Sequence, residues 1–148
     1  RPGHRELATP EDDQQRRVVH DLGRYYPHHN LYHVTSQSWD LRALATVLRS
    51  SIAVLFVAAY CVKMAGGFLR FQAQYLRRIR VPRWADVTAA QREALCAASP
   101  TDPVAIDRAA FELYGLSDAE IEVVRRAAAE ARPSRRAPAA PETVSQAR

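Results

Sequence analysis

Leu41, Leu44, Leu48, Ile52, Leu55, Phe56, Ala59 and Val62 recur at intervals of mostly three and four residues. That is the period of one face of an α-helix, and it predicts a helix from Leu41 to about Ala65. From Ile52 to Val62 the chain is apolar nearly all round, so this stretch is expected to be buried on more than one side. Asp40 is suited to cap the helix. Gly66-Gly67 end it, since glycine tolerates the positive φ of a helix stop. Upstream, Leu31–Thr35 (LYHVT) alternates as a short strand does, entered through Pro27 and Asn30. Residues 1–19 are polar and mixed in charge and read as a connecting segment or irregular edge. Downstream, Phe68-Leu69-Arg70-Phe71 leads to Gln72–Ile79. Arg80-Val81-Pro82 closes the block, because the ring of Pro82 pushes Val81 to an extended conformation.

The C-terminal part is punctuated as helices. Thr88 with Gln91 fits a capping box opening a helix through Ala98. Asp102-Pro103 is an N-cap followed by proline at the first helical position, and that helix stops at Gly115 after Tyr114. Ser117 with Glu120 is a second capping box, with Leu116 and Ile121 placed as a hydrophobic staple. The last helix is expected to end near Arg132. The expected class is thus α+β and mainly helical: one long buried helix, a short strand segment and a C-terminal helical part. The divisions are 1–24 (linker or edge), 25–85 (strand, long helix, basic turn), 86–132 (helical part) and 133–148. The last is rich in Pro, Ala and Ser and expected to be disordered.

A chain of 148 residues, 47% hydrophobic and 25% charged, suits one globular domain. Cys61 and Cys96 sit in apolar helical contexts without metal or redox spacing. They read as buried free thiols of a reducing compartment, which predicts a cytoplasmic protein. The chain opens on Arg1 without a signal-peptide pattern, so it is expected to be processed or to be the C-terminal piece of a longer protein. The membrane-like stretch Ser51–Leu69 has only 13 uncharged residues between Arg49 and Lys63. A span needs about 20, so a core helix is expected and no membrane partner.

Charge changes the picture. Between Asp40 and Asp86 there is no acid, but eight basic residues: Arg42, Arg49, Lys63, Arg70, Arg77, Arg78, Arg80 and Arg83. Residues 1–40 carry a net −1 and residues 86–131 a net −5, so the overall +5 hides a strongly basic centre. Such asymmetry suggests a polyanionic partner. Twenty of the 21 basic residues are arginine, which reflects coding bias first and phosphate chemistry second.

Enzymatic motifs are missing. There is no P-loop, no glycine-rich dinucleotide turn and no nucleophile elbow. His28, His29 and His33 lie close together, but no carboxylate or thiolate stands nearby to complete a zinc set. The basic run from Gly67 to Pro82 is more informative. Arginine forks phosphates and the guanine O6/N7 edge, and glutamine can pair adenine bidentately. Aromatic side chains between them can pack against a sugar or base. Leu69, Phe71, Leu76 and Ile79 are expected in the core. The arginines lack acids nearby in sequence to pair with them.

Several segments together resemble the C-terminal region of adenine-specific DNA methyltransferases of restriction-modification systems, whose target-recognition half is called the TaqI-like specificity domain. They are YPHHNLYHVTS (26–36), WDLRALATVLRSS (39–51), GGFLRF (66–71), YLRRIRVP (75–82) and AFELYGLSDAEIEVVRR (110–126). The resemblance implies a parent enzyme that moves a methyl group from S-adenosylmethionine to the exocyclic amine of adenine in double-stranded DNA. It implies that the base leaves the stack while the recognition part holds the duplex. The family's glycine-rich methyl-donor motif and Asn/Asp-Pro-Pro-Tyr motif are both absent, so this stretch alone is expected neither to bind the donor nor to methylate. A catalytic methyltransferase domain, upstream or in a separate subunit, is the implied partner. Arg70, Gln72, Gln74, Arg77, Arg78 and Arg80 are the expected DNA-facing residues, with His28, His29 and Asn30 added by their place in the matching motif. Two other readings remain open at this point. One is a helical interaction or scaffold module, in which the 70–83 arginines pair with acids of the C-terminal helices. The other is a membrane-associated protein.

Overall fold

The computed structural model describes residues 5–9, 17–24, 32–61 and 72–131. Three short strands, β1 (Arg5–Thr9), β2 (Arg17–Asp21) and β3 (Tyr32–Thr35), form an antiparallel sheet in the order β2-β1-β3. Arg5 stands opposite Asp21 on one side and Thr35 on the other. The expected strand at Leu31–Thr35 is present as β3. The stretch read as a linker or irregular edge instead supplies two strands, one of them central. Their mixed polarity hid them: Val19 at 48% and Tyr32 at 36% exposure show that this sheet does not sort apolar from polar residues cleanly by face. Period-two patterning is legible only where one face is buried.

Six α-helices follow among the described residues: α1 (Leu41–Arg49), α2 (Ser51–Tyr60), α3 (Ala73–Leu76), α4 (Ala89–Ala97), α5 (Pro103–Tyr114) and α6 (Asp118–Ala131). The molecule is mainly helical, as the periodicity implies. The single long helix expected from Leu41 is corrected to two, bent by 65° at Ser50. Ser50 is extended, at φ −69° and ψ 162°. Its N–H donates to Val47 O at 3.1 Å and its hydroxyl donates to the same carbonyl at 2.7 Å. The hydroxyl oxygen also accepts from Ala53 N, so one serine closes α1 and caps α2. Serine competes with the helix for backbone groups in this way. Apolar spacing alone cannot register the break, because the pattern runs through it. Among the described residues no single helix is long and apolar enough to cross a membrane.

Three apolar clusters hold the helices together. Trp39, Ala43 and Val47 pack with Val87, Leu95 of α4, and Ala109 and Leu113 of α5. Ile52 of α2 packs with Ala110 and Phe111 of α5 and Val124 of α6. Val54 packs with Ala128 and Ala131 of α6. α2 is therefore covered on more than one side, as its composition requires. The clusters draw on both the basic centre and the acidic C-terminal part. Inside the first, the hydroxyl of Thr46 donates to Leu95 O at 2.8 Å and ties α1 to α4.

The caps read from sequence are in place. Asp40 accepts from Arg42 N at 2.8 Å. Thr88 and Gln91 form the capping box of α4. Asp102 accepts from Val104 N and Ala105 N at the start of α5. Ser117 N donates to the Glu120 carboxylate at 2.8 Å, and those bonds hold that carboxyl below its usual range. Gly115 ends α5 at φ 63° with nothing within 4 Å of an added Cβ. Gly115→Ala should therefore cost backbone strain alone, about 1 kcal/mol, seen as a small downward shift in the thermal midpoint. Cys61 and Cys96 are both half-buried, less enclosed than expected. Gly66-Gly67, Arg132 and residues 133–148 lie outside the described residues.

Candidate nucleic-acid interface

The basic block resolves into arginines with different partners. Asp40 and Asp86, the acids that bound the acid-free stretch, each take the arginine beside them. Arg42 meets Asp40 at 3.3 Å and Arg83 meets Asp86 at 3.0 Å. The Asp40 carboxyl is raised by its partial burial. The hydrogen bonds and charge of Arg42, with the Ala43 N–H, outweigh this and leave it below its ordinary value. Arg49 donates through Nε (2.9 Å) and Nη2 to Val18 O, so it fastens α1 to β2. Arg77, Arg78 and Arg80 are exposed and meet no carboxylate within 4.0 Å among the described residues.

These three follow α3, a single turn seated beside α2. Gln72 precedes the turn and Gln74 lies within it. Gln74 Nε2 donates to Gln72 Oε1 at 3.0 Å. The pairing leaves amide hydrogens on Gln72 and a carbonyl oxygen on Gln74 for a ligand. That donor and acceptor set complements N7 and N6 of adenine in the major groove. Arg78 lays its guanidinium over the ring of Tyr60, at the end of α2, 4.8 Å from the centroid.

From Ile79 to Arg83 the chain has no regular secondary structure, with Arg83 itself extended before a single 3-10 turn at Trp84–Asp86, and the body holds this stretch by three carbonyls. Tyr114 Oη of α5 donates to Arg80 O at 2.6 Å. Trp39 Nε1 donates to Pro82 O at 3.0 Å. Arg92 Nη2 of α4 donates to Trp84 O at 2.6 Å. The carbonyls of residues 80, 82 and 84 are thus each held by a donor from a different part of the body. Val81 packs on the first cluster, while Arg80 and Arg83 stay exposed. Burial pushes the Tyr114 phenol up to about 12, so it remains a hydrogen-bond donor at neutral pH. Trp84 is held between Trp39, at 4.8 Å between ring centroids, and the Arg92 guanidinium at 4.9 Å. The product is a strap with fixed backbone and outward cations, a form suited to a row of phosphates.

The structure thus brings Gln72, Gln74, Arg77, Arg78 and Arg80 into one short surface segment. Arg70, His28, His29 and Asn30 lie outside the described residues. Sequence reading did not single out Tyr60, Trp39, Tyr114 or Arg92 for this surface. Their link to it is tertiary, and the available hint was only that each is an aromatic or arginine able to donate from a largely apolar body. Among the described residues no three of His, Cys, Asp and Glu converge as metal ligands.

The proteins similar to this chain are Type II methyltransferases. The chain is 56% identical over 115 residues to M.PaeR7I of Pseudomonas aeruginosa, covering 77% of this chain and 20% of that protein. It is 51% identical over 119 residues to M.XhoI of Xanthomonas vasicola, with 80% and 22% covered. It is 38% identical over 122 residues to M.BstVI of Geobacillus stearothermophilus, with 82% and 22% covered. The chain therefore spans about a fifth of the length of the curated relatives it matches. No protein-family profile matches it. No solved structure matches it.

Proposed function

We propose that this chain is a DNA target-recognition part of an adenine-specific methyltransferase of a restriction-modification system, of the TaqI-like specificity type. The whole enzyme would move a methyl group from S-adenosylmethionine to the exocyclic amine of adenine in double-stranded DNA, in the cytoplasm. Neither a donor-binding glycine motif nor an Asn/Asp-Pro-Pro-Tyr motif occurs in these 148 residues. Donor binding and chemistry then fall to a catalytic domain elsewhere in the polypeptide or in a separate subunit. The role of this stretch is to bind and orient the duplex.

The observation that carries the reading is the exposed row Arg77, Arg78 and Arg80, without carboxylate partners among the described residues, in a chain whose relatives are methyltransferases. A scaffold would instead use those arginines to pair with acids of the C-terminal helices. The Arg42–Asp40 and Arg83–Asp86 pairs are local and lie at the surface, and pairs of that kind contribute little stability.

The test is a salt titration of binding to a mixed-sequence DNA duplex. Arg77→Ala with Arg78→Ala should weaken binding about tenfold at moderate salt. It should also flatten the slope of log K against log salt by about 0.9 for each phosphate no longer neutralised. A slope equal to that of the unsubstituted chain would remove these arginines from the interface.

A further inference from the structure

We propose that Tyr60 is a positioning residue of the DNA surface: its ring is the platform that holds the Arg78 guanidinium ready to fork an acceptor on the duplex. The inference rests on the DNA-binding reading above and adds to it a residue outside the basic block. Tyr60 ends α2, a helix whose other end is buried against α5 and α6, so the platform stands on a fixed base. The Tyr60 side remains open: the residue is 48% exposed. Arg78 covers the ring at 4.8 Å and is itself exposed, with no carboxylate within reach among the described residues to hold or neutralise it.

An exposed arginine samples many rotamers, and a ligand that fixes it must overcome that freedom. Stacking on an aromatic face reduces it in advance and leaves the N–H edge of the guanidinium free for a phosphate or a guanine O6/N7 edge. A carboxylate could restrain the arginine as well, but it would also occupy the donors and cancel the charge. Tyr60 restrains Arg78 without doing either. The Arg78 backbone is set independently, since its N–H donates to Tyr75 O at 3.0 Å. Tyr60 therefore acts on the side chain alone.

The experiment measures binding of the full chain to a mixed-sequence DNA duplex for Tyr60→Leu, Tyr60→Phe, Arg78→Ala and the double variant Tyr60→Leu with Arg78→Ala. Tyr60→Leu should weaken binding about two- to fivefold, the range expected of an exposed cation–π contact. Tyr60→Phe keeps the ring and should bind within about twofold of the parent chain. On the Arg78→Ala background Tyr60→Leu should do nothing further, an outcome that a merely structural role would not give. Thermal melts run alongside, and Tyr60→Gln replaces the leucine variant if that one does not fold. Unchanged binding of Tyr60→Leu, or an equal loss with and without Arg78, overturns the inference. If Arg78→Ala weakens binding but Tyr60→Leu does not, only the platform fails. If neither this variant nor the Arg77/Arg78 pair weakens it, the DNA reading itself fails.

Discussion

Trp39→Ala should lower the stability of this chain by about 3–5 kcal/mol, the usual loss for a large aromatic removed from a core. Trp39 is only 8% exposed and lies in the first apolar cluster with Ala43, Val47 and Leu95. It also makes two connections an ordinary core residue lacks. Its indole N–H donates to Pro82 O, and its ring packs on Trp84. Removing it leaves a cavity among α1, α4 and α5 and frees the middle of the three gripped carbonyls. Trp39→Phe should recover most of the packing but not the hydrogen bond, leaving a deficit of about 1–2 kcal/mol. Denaturant unfolding compares the two variants. A Trp39→Ala chain that unfolds at the parent's denaturant midpoint would mean that this cluster does not hold the fold.

Asp107→Ala should cost about 1.5–3 kcal/mol, the range for removing hydrogen bonds to a charged group. The bonds are unusual in joining a helix start to a distant helix. Asp107 of α5 accepts from Ser51 N at 2.6 Å and from Ser51 Oγ at 2.7 Å. α2 has no acid in its own first turn, so Asp107 supplies the negative charge that the helix N-terminus favours. Ser51 is buried, and its N–H would be left without an acceptor once the carboxylate is gone. Asp107→Asn can keep both contacts, since an amide oxygen accepts from the N–H and the amide nitrogen can donate to the hydroxyl. It should lose clearly less than the alanine variant. Equal losses for the two variants in denaturant unfolding would overturn this account: the isosteric amide would then fail to replace the carboxylate, and its charge rather than these two hydrogen bonds would hold the site.

Ser51 and Asp107 also show where sequence reading stopped. The apolar spacing from Leu41 onward correctly predicts helix, and the expected burial on several sides is met at Ile52, Ala53, Val54 and Val57, whereas Ala59 and Tyr60 are exposed and Val62 lies outside the described residues. The break at Ser50 depends on one serine turning its hydroxyl to the backbone and on its neighbour Ser51 donating to an aspartate 56 residues further along. The residues were visible, but their meeting was not. For the candidate site, the arginines and glutamines stood out by charge and type in one segment. The difference between Arg49, bound to a strand carbonyl, and Arg78, stacked on an aromatic ring, did not. Both are arginines in an acid-free stretch, and only packing separates them.

The sequence by itself determined the local features of this protein. Thr88 with Gln91, Asp102 before Pro103, Ser117 with Glu120, and Gly115 fix helix ends through contacts within a few residues. Local contacts of that kind can be read without knowing the fold. The absence of acids between Asp40 and Asp86 likewise placed the basic surface. Tertiary structure decided what that surface is made of. Tyr114, Trp39 and Arg92 come from three separate elements to hold the carbonyls of residues 80, 82 and 84. In the sheet, too, β1 pairs with β3 although β2 lies between them in sequence, and Val19 of β2 and Tyr32 of β3 are exposed. Hydrogen bonds between distant segments exist only after the helices have packed, so no local pattern records them.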